Sequence, residues 1–244
     1  MPSYLLEVYN MNIQYNTILN NNVTISYISV NSEFGGCPIV IIPGAVNSAD
    51  EVHAALSEHL PAYHIIISLR GRGKSSSPES GYTLSDQASD IQAVIEHEKI
   101  QFCVLFGHSI GSTIGIRAAQ NYAASLKAFV VGDFPPFYPP YSNTWATQVL
   151  AFSDAIDITP TAVNGIAKDA QYTDVLDELN SLSCSIYAIK ASGENSLLRP
   201  EDAEKLKELC PRCTVLELED SGHEMIHDNP KELARMLIEI TQQG

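Results

Sequence analysis

Two short runs in this chain carry residues whose types and spacing suit nucleophilic chemistry. Gly107-His108-Ser109-Ile110-Gly111 sets a serine between two glycines, and Ser221-Gly222-His223 supplies an imidazole far down the chain. A serine hydroxyl attacks poorly until a base takes its proton, and histidine is the side chain whose ordinary pKa suits that task near neutrality. The first run lies between an apolar stretch, residues 102–106 (FCVLF), and an amphipathic one, residues 109–124. On a strand-to-helix turn the nucleophile must adopt strained backbone angles, and small residues two before and two after it give the neighbouring backbone room. The turn also delivers the hydroxyl to a helix N-terminus, where backbone N–H groups favour developing negative charge.

His223 follows the run at residues 213–218 (CTVLEL) and precedes a helix opened by Asn229-Pro230, a position from which a loop histidine can reach a serine at another strand end. Attack on a carbonyl also needs donors for the oxyanion. One N–H comes from the residue after the nucleophile and one from a second strand end. Ile110 and Ala45 are the candidates, Ala45 lying in Pro43-Gly44-Ala45, which read alone is an ordinary turn.

Positioning these groups falls to short β-branched runs that alternate with amphipathic stretches. Residues 39–42 (IVII) and 64–68 (HIIIS) are continuously apolar, as strands covered on both faces are, and residues 102–106, 128–132, 185–190 and 213–218 continue the series. Residues 23–30 alternate like a half-exposed strand, and residues 3–8 fit an antiparallel first edge strand. Helices are predicted over residues 50–59, 85–98 (N-cap Ser85; Ala88, Ile91, Val94 and Ile95 on one face), 109–124, 200–209 and from Asn229-Pro230 to about 242. Parallel strands need helical crossovers, so this order predicts an α/β fold with a mostly parallel, eight-stranded, doubly wound sheet. Residues 134–182 break the rhythm with Pro135, Pro136, Pro139 and Pro140, then helix-like pieces and no convincing strand. They read as a short helical cap inserted into a single domain over residues 1–244. Phe134, Phe137, Tyr138, Tyr141 and Trp145 cluster there. Of these, Phe134, Phe137, Tyr141 and Trp145 are the candidate substrate-binding residues, although such rings also serve as cap packing.

The composition, 45% hydrophobic and 18% charged over 244 residues, suits one large core. With 14 basic against 29 acidic residues the formal net charge is −15, which repels phosphate backbones and anionic lipid and argues against nucleic-acid and membrane partners. No apolar run approaches the ~18 residues of a membrane span, and residues 1–9, without a basic region or a long apolar run, are not expected to form a secretion signal. Five cysteines, an odd number at irregular spacing, predict reduced thiols and a cytoplasmic location. Cys210-Pro211-Arg212-Cys213 has metal or redox spacing without a second ligand pair, and reads as a helix-to-strand turn. His227 would make a metal-type pair with His223, again without an evident third ligand. No cofactor or metal is expected, and the expected partner is a small-molecule substrate.

Together these residues resemble the α/β-hydrolase superfamily, in its esterase, lactonase and haloperoxidase-like branch with a small helical cap. The resemblance covers nearly the whole chain, including Arg70-Gly71-Arg72-Gly73-Lys74-Ser75, which is similar to the family's structural Arg-Gly-x-Gly-x-Ser turn. It implies Ser109 as nucleophile, His223 as base and a carboxylate between them in chain order. Two departures stand out. Pro43-Gly44 occupies the place of the family's usual His-Gly, and Gly193-Glu194-Asn195-Ser196 puts Ser196 where the family's Gly-x-x-Asp has its acid. Some branches instead take the acid from the strand end here marked by Gly132-Asp133-Phe134-Pro135. Asp133 is therefore the expected acid and Glu194 the alternative, with a turn-capping role for Asp133 and the absence of any acid left open. The implied activity is hydrolysis of a carboxylic ester or lactone through an acyl-enzyme on Ser109. Acyl transfer, carbon–carbon bond hydrolysis and perhydrolysis would use the same nucleophile, and a non-catalytic small-molecule receptor with a relict site is a further reading.

Overall fold

Asn21 and Asn22, at φ 49° and 64°, close a two-residue hairpin between β1 (Ile13–Asn20) and β2 (Val23–Val30). Consecutive positive φ values define the turn whose twist matches paired strands, and asparagine tolerates them. The computed structural model describes residues 11–122, 126–152 and 155–243. The expected edge strand at residues 3–8 lies outside the described residues, and the edge of the described sheet is β1.

From the hairpin the chain runs through β3 (Ile39–Ile42), α1 (Ala49–Leu56), β4 (His64–Ile67), α2 (Leu84–His97), β5 (Cys103–His108), α3 (Ile110–Ala119) and β6 (Leu126–Gly132). The inserted stretch holds β7 (Phe137–Tyr138), α4 (Asn143–Leu150), α5 (Pro160–Asp169), β8 (Thr173–Asp174) and α6 (Leu176–Ser181). Then come β9 (Ser185–Ala191), α7 (Pro200–Leu209), β10 (Cys213–Leu218), α8 (Met225–Asp228) and α9 (Pro230–Gln242). Eight strands form one sheet in the order β1-β2-β4-β3-β5-β6-β9-β10, antiparallel at β1–β2 and β2–β4 and parallel from β4 onward.

The continuously apolar strands feed two cores. Val40 and Ile42 face one, with Leu105, Phe129, Ile186 and residues of α2, α3, α7 and the cap. Ile39 and Ile41 face the other, with Val104, Val130, Leu218 and residues of α1, α8 and α9. The period of two in strand side chains turns each such run into two buried faces.

Several local expectations need correction. Strand β2 is buried on both faces, because its polar Ser26 is enclosed and its N–H donates to the Ser75 hydroxyl (2.9 Å) of the turn after β4. The N-cap of α2 is Thr83, not Ser85. The Thr83 hydroxyl accepts from Asp86 N–H, and the Asp86 carboxylate accepts from Thr83 N–H (both 3.1 Å), a reciprocal capping box. The cap contains a short antiparallel pair, Phe137 with Asp174 and Tyr138 with Thr173, where no strand was foreseen. Two-residue strands carry too little pattern to register as periodicity. All five cysteines are free, Cys210 lying just after α7 and Cys213 opening β10. Among the described residues no helix is long and apolar enough to cross a membrane.

Candidate active site

Ser109 sits between β5 and α3 at φ 54° and ψ −132°, a conformation a β-branched or bulky residue would resist. The neighbouring glycines are required by space. A Cβ on Gly107 would lie 2.4 Å from the backbone of Ser112, and one on Gly111 would lie 2.3 Å from the Ile42 carbonyl. The second contact shows the first turn of α3 pressed onto the end of β3. A Cβ on Gly44 would stand 3.5 Å from the Ser109 Cβ, so the loop carrying Ala45 lies against the same serine. Ile110 opens α3, and its N–H has no carbonyl one turn earlier to bond.

Across the sheet end, His223 follows β10. Its Nε2 is 2.9 Å from Ser109 Oγ and its Nδ1 is 2.8 Å from Asp133 Oδ2. Asp133 leaves β6 at φ 49° and is fully buried. Burial by itself would raise its carboxyl, but hydrogen bonds from His223, Ser196, Leu197 N–H and Ala191 N–H outweigh it and hold the group below the ordinary aspartate value. An ionised carboxylate only accepts, so Nδ1 of His223 carries the ring proton and Nε2 presents its lone pair to the serine hydroxyl.

The structure thus brings Ser109, His223 and Asp133 together, with the 43–45 loop and Ile110 beside them. Glu194 is not part of this cluster and its side chain is exposed. Ser196, standing at the family's acid position, donates its hydroxyl to Asp133 Oδ1 at 2.5 Å. Two loops interlock beneath it: Gly193 N–H donates to the Ser221 carbonyl (2.8 Å), and a Cβ on Gly222 would meet Asn195 Oδ1 at 2.2 Å.

One contributor has no sequence signal beyond its place in the motif. His108 is buried, its Nε2 lies 2.8 Å from the His223 carbonyl, and its Nδ1 has no partner among the described residues. The carbonyl can only accept, so Nε2 is the protonated nitrogen. Burial, then the neighbouring His223, lowers its pKa, so the ring is neutral. His227 approaches Glu51 (3.2 Å) rather than joining His223 as a ligand pair. Among the described residues no group of three or more His, Cys, Asp or Glu is arranged to hold a metal.

The cap rings fall into two sets. Phe134 and Phe137 (5.9 Å between ring centres) continue to Tyr172, whereas Tyr141 packs on Trp145 (4.4 Å) and edge-on to buried Tyr138 (6.1 Å). A cavity of about 300 Å³ lies between the first set and α7, lined by Phe137, Tyr172, Leu176 and Leu206. It includes neither Ser109 nor His223 and holds no nucleophile with a base, so we place the candidate site at the serine.

The model of the alpha/beta hydrolase family matches residues 39–236. The chain belongs to the alpha/beta hydrolase family. It is 23% identical to N-formylmaleamate deformylase of Pseudomonas putida over 77% of this chain and 82% of that protein. A second relative, 2-(acetamidomethylene)succinate hydrolase of Mesorhizobium japonicum, is 30% identical over 49% of this chain, and the match spans 44% of that protein, less than half its length. Among solved structures, an esterase from Exiguobacterium antarcticum superposes with a TM-score of 0.76 at 18% identity, covering 94% of this chain and 100% of that one. At that identity the likeness speaks for the fold. The eight-stranded, mostly parallel sheet with helices on both faces is the fold these proteins share.

Proposed function

We propose that this chain hydrolyses a carboxylic ester or lactone of a small molecule through an acyl-enzyme on Ser109. The reading is carried by one observation, the unbroken hydrogen-bonded line from Asp133 through His223 to Ser109. His223 Nε2 takes the hydroxyl proton as Ser109 Oγ attacks the carbonyl carbon. The N–H groups of Ala45 and Ile110 receive the oxyanion, and Asp133 stabilises the imidazolium that forms. His223 then returns the proton to the leaving alcohol, and water releases the acyl group by the same steps. The segment over residues 134–182 roofs the pocket, with Phe134, Phe137, Tyr141 and Trp145 as the candidate side chains for the acyl or alcohol part.

A second reading draws on the deformylase, which matches most of the chain: the same serine would remove a formyl group from an amide nitrogen. The receptor reading rested on the acid missing after β9. A carboxylate that reaches the imidazole from β6 takes that support away.

A panel of p-nitrophenyl esters of rising chain length, together with an N-formyl amide, tests the proposal on wild type and Ser109→Ala. Wild type should turn over at least one class, and the variant should lose roughly three to six orders of magnitude in rate while staying folded. Near-wild-type turnover by folded Ser109→Ala would overturn the mechanism.

A further inference from the structure

Arg72 heads the large side chains that are fully buried among the described residues, at 2% exposure. It lies in the turn after β4, two residues from Arg70, and the two arginines are treated very differently. Arg70 makes a two-pronged ion pair with Asp90, Nε at 2.7 Å and Nη2 at 2.8 Å. Arg72 forms no ion pair with a described carboxylate. Its donors go to neutral acceptors: Nε to the Ala45 carbonyl (2.7 Å), and Nη1 to the Arg70 carbonyl (2.7 Å) and Gln87 Oε1 (3.1 Å). The remaining neighbours that bear on its charge are the phenols of Tyr138, Tyr141 and Tyr82, which favour it, and the like-charged guanidinium of Arg70, which disfavours it.

Burying a guanidinium without a counter-charge is costly, and structural cations are normally paired when buried. The chain has 29 acidic residues against 14 basic ones, so carboxylates were not scarce. The unpaired charge is held directly behind the loop that presses on Ser109, bonded to the carbonyl of Ala45 itself. A positive charge there has little to attract in the resting enzyme. It gains a partner when a carbonyl bound beside Ser109 becomes an oxyanion.

We propose that Arg72 is a positioning residue for this step: its Nε–H fixes the oxyanion loop through Ala45, and its uncompensated charge stabilises the anionic tetrahedral stage. The inference rests on the serine reading above. Arg72 acts through Ala45 and does not touch the substrate, so its effect belongs to the transition state. An interaction that strengthens only as charge develops raises kcat and leaves KM nearly unchanged. A merely structural role predicts otherwise. Arg72 also bridges Ile158 of the cap through its backbone, and Gln87 reaches Tyr138, so a collapse of this junction would displace the roof and show in KM.

The test uses the full chain carrying Arg72→Gln, which retains a hydrogen-bonding head without charge, and Arg72→Lys, which retains charge without the fork. Two readouts are taken: kcat and KM on p-nitrophenyl acetate, and the second-order rate of Ser109 labelling by a fluorophosphonate, whose transition state also loads negative charge onto an oxygen in the hole. Arg72→Gln should lower kcat and the labelling rate together by roughly 30- to 100-fold, with KM within about threefold. Arg72→Lys should recover about tenfold of that loss. A folded Arg72→Gln within twofold of wild type on both readouts overturns the proposal, as does a loss confined to KM. Should Arg72→Gln fail to fold, Arg72→Lys decides alone: a three- to tenfold fall in kcat at constant KM supports the role, and an unchanged kcat overturns it. Wild type that labels nowhere overturns the serine reading and this inference with it, whereas labelled wild type with unaltered variants overturns this inference only.

Discussion

Asp133 receives five hydrogen bonds, from His223 Nδ1, the Ser196 hydroxyl and the N–H groups of Ala191, Leu197 and Leu198. Such a set keeps a fully buried carboxylate ionised and fixes which oxygen faces the imidazole. Replacing it by asparagine keeps the shape but turns an acceptor into a donor, so the imidazole is held in the wrong tautomer. Asp133→Asn is expected to lower turnover by roughly two to four orders of magnitude. Glu194 is exposed and makes no hydrogen bond to that line among the described residues, so Glu194→Gln should cost less than about tenfold. Steady-state kinetics on both variants check the pair, and the reverse ranking would move the acid to the loop after β9. Ser196 is the residue whose meaning changed most between sequence and structure. Its position looked like a lost acid, and its hydroxyl instead donates to the Asp133 carboxylate at the end of β6. Nothing in the one-dimensional pattern distinguishes those two states, because the bond joins residues on different strands.

At the scale of elements, what was legible depended on how strongly a segment's own pattern agreed with its surroundings. Buried runs such as Ile39–Ile42 and the strand–serine–helix junction announce themselves, since apolar continuity and two small residues have few other uses. Strand β1 was hidden because several of its apolar residues face outward, Tyr15 and Leu19 being 61% and 70% exposed while Ile18 packs on the core, and asparagines are scattered through it. The Asn21-Asn22 pair was the available signal for its hairpin. The start of α2 was displaced by two residues because Thr83 and Ser85 are both good caps, and only Thr83 is followed three residues later by a carboxylate able to reach back. Thr83→Ala should therefore lower stability by about 1 kcal/mol without altering activity, and Ser85→Ala by clearly less, as urea titrations can compare. In the cap, Trp145 and Tyr141 pack on one another. If the segment roofs the pocket, Trp145→Ala should change the ranking of ester substrates more than it changes Tm, and an unaltered ranking would reduce the pair to packing.

For the whole molecule, the two-layered cover of the sheet buries imidazoles as well as aliphatic side chains, and this makes stability depend on pH. His64 on β4 is completely enclosed; its Nδ1 lies 2.8 Å from the Ala62 carbonyl, and its Nε2 has no partner among the described residues. Burial pushes its pKa down to about 4. His108 is lowered as well, first by burial and then by its neighbour His223. In the unfolded chain both rings titrate near pH 6.5. Above that value neither state binds the protons, and the full stability is present. As pH falls from about 6.5 toward 4 the unfolded chain takes up protons that the folded chain refuses, so stability declines. Each ring contributes a slope of up to about 1.4 kcal/mol per pH unit. Below the folded-state value of His64 its contribution levels off. Asp133, whose pKa is lowered in the fold, adds its own loss only further down, as pH falls through the ordinary aspartate range. Urea unfolding between pH 7.5 and 4.5 should thus show a steady fall in stability, and His64→Leu should make that fall shallower by about one proton even if it lowers stability at pH 7.5. An unchanged pH slope in His64→Leu would mean that the buried ring is charged in the folded protein or that another group sets the acid limb.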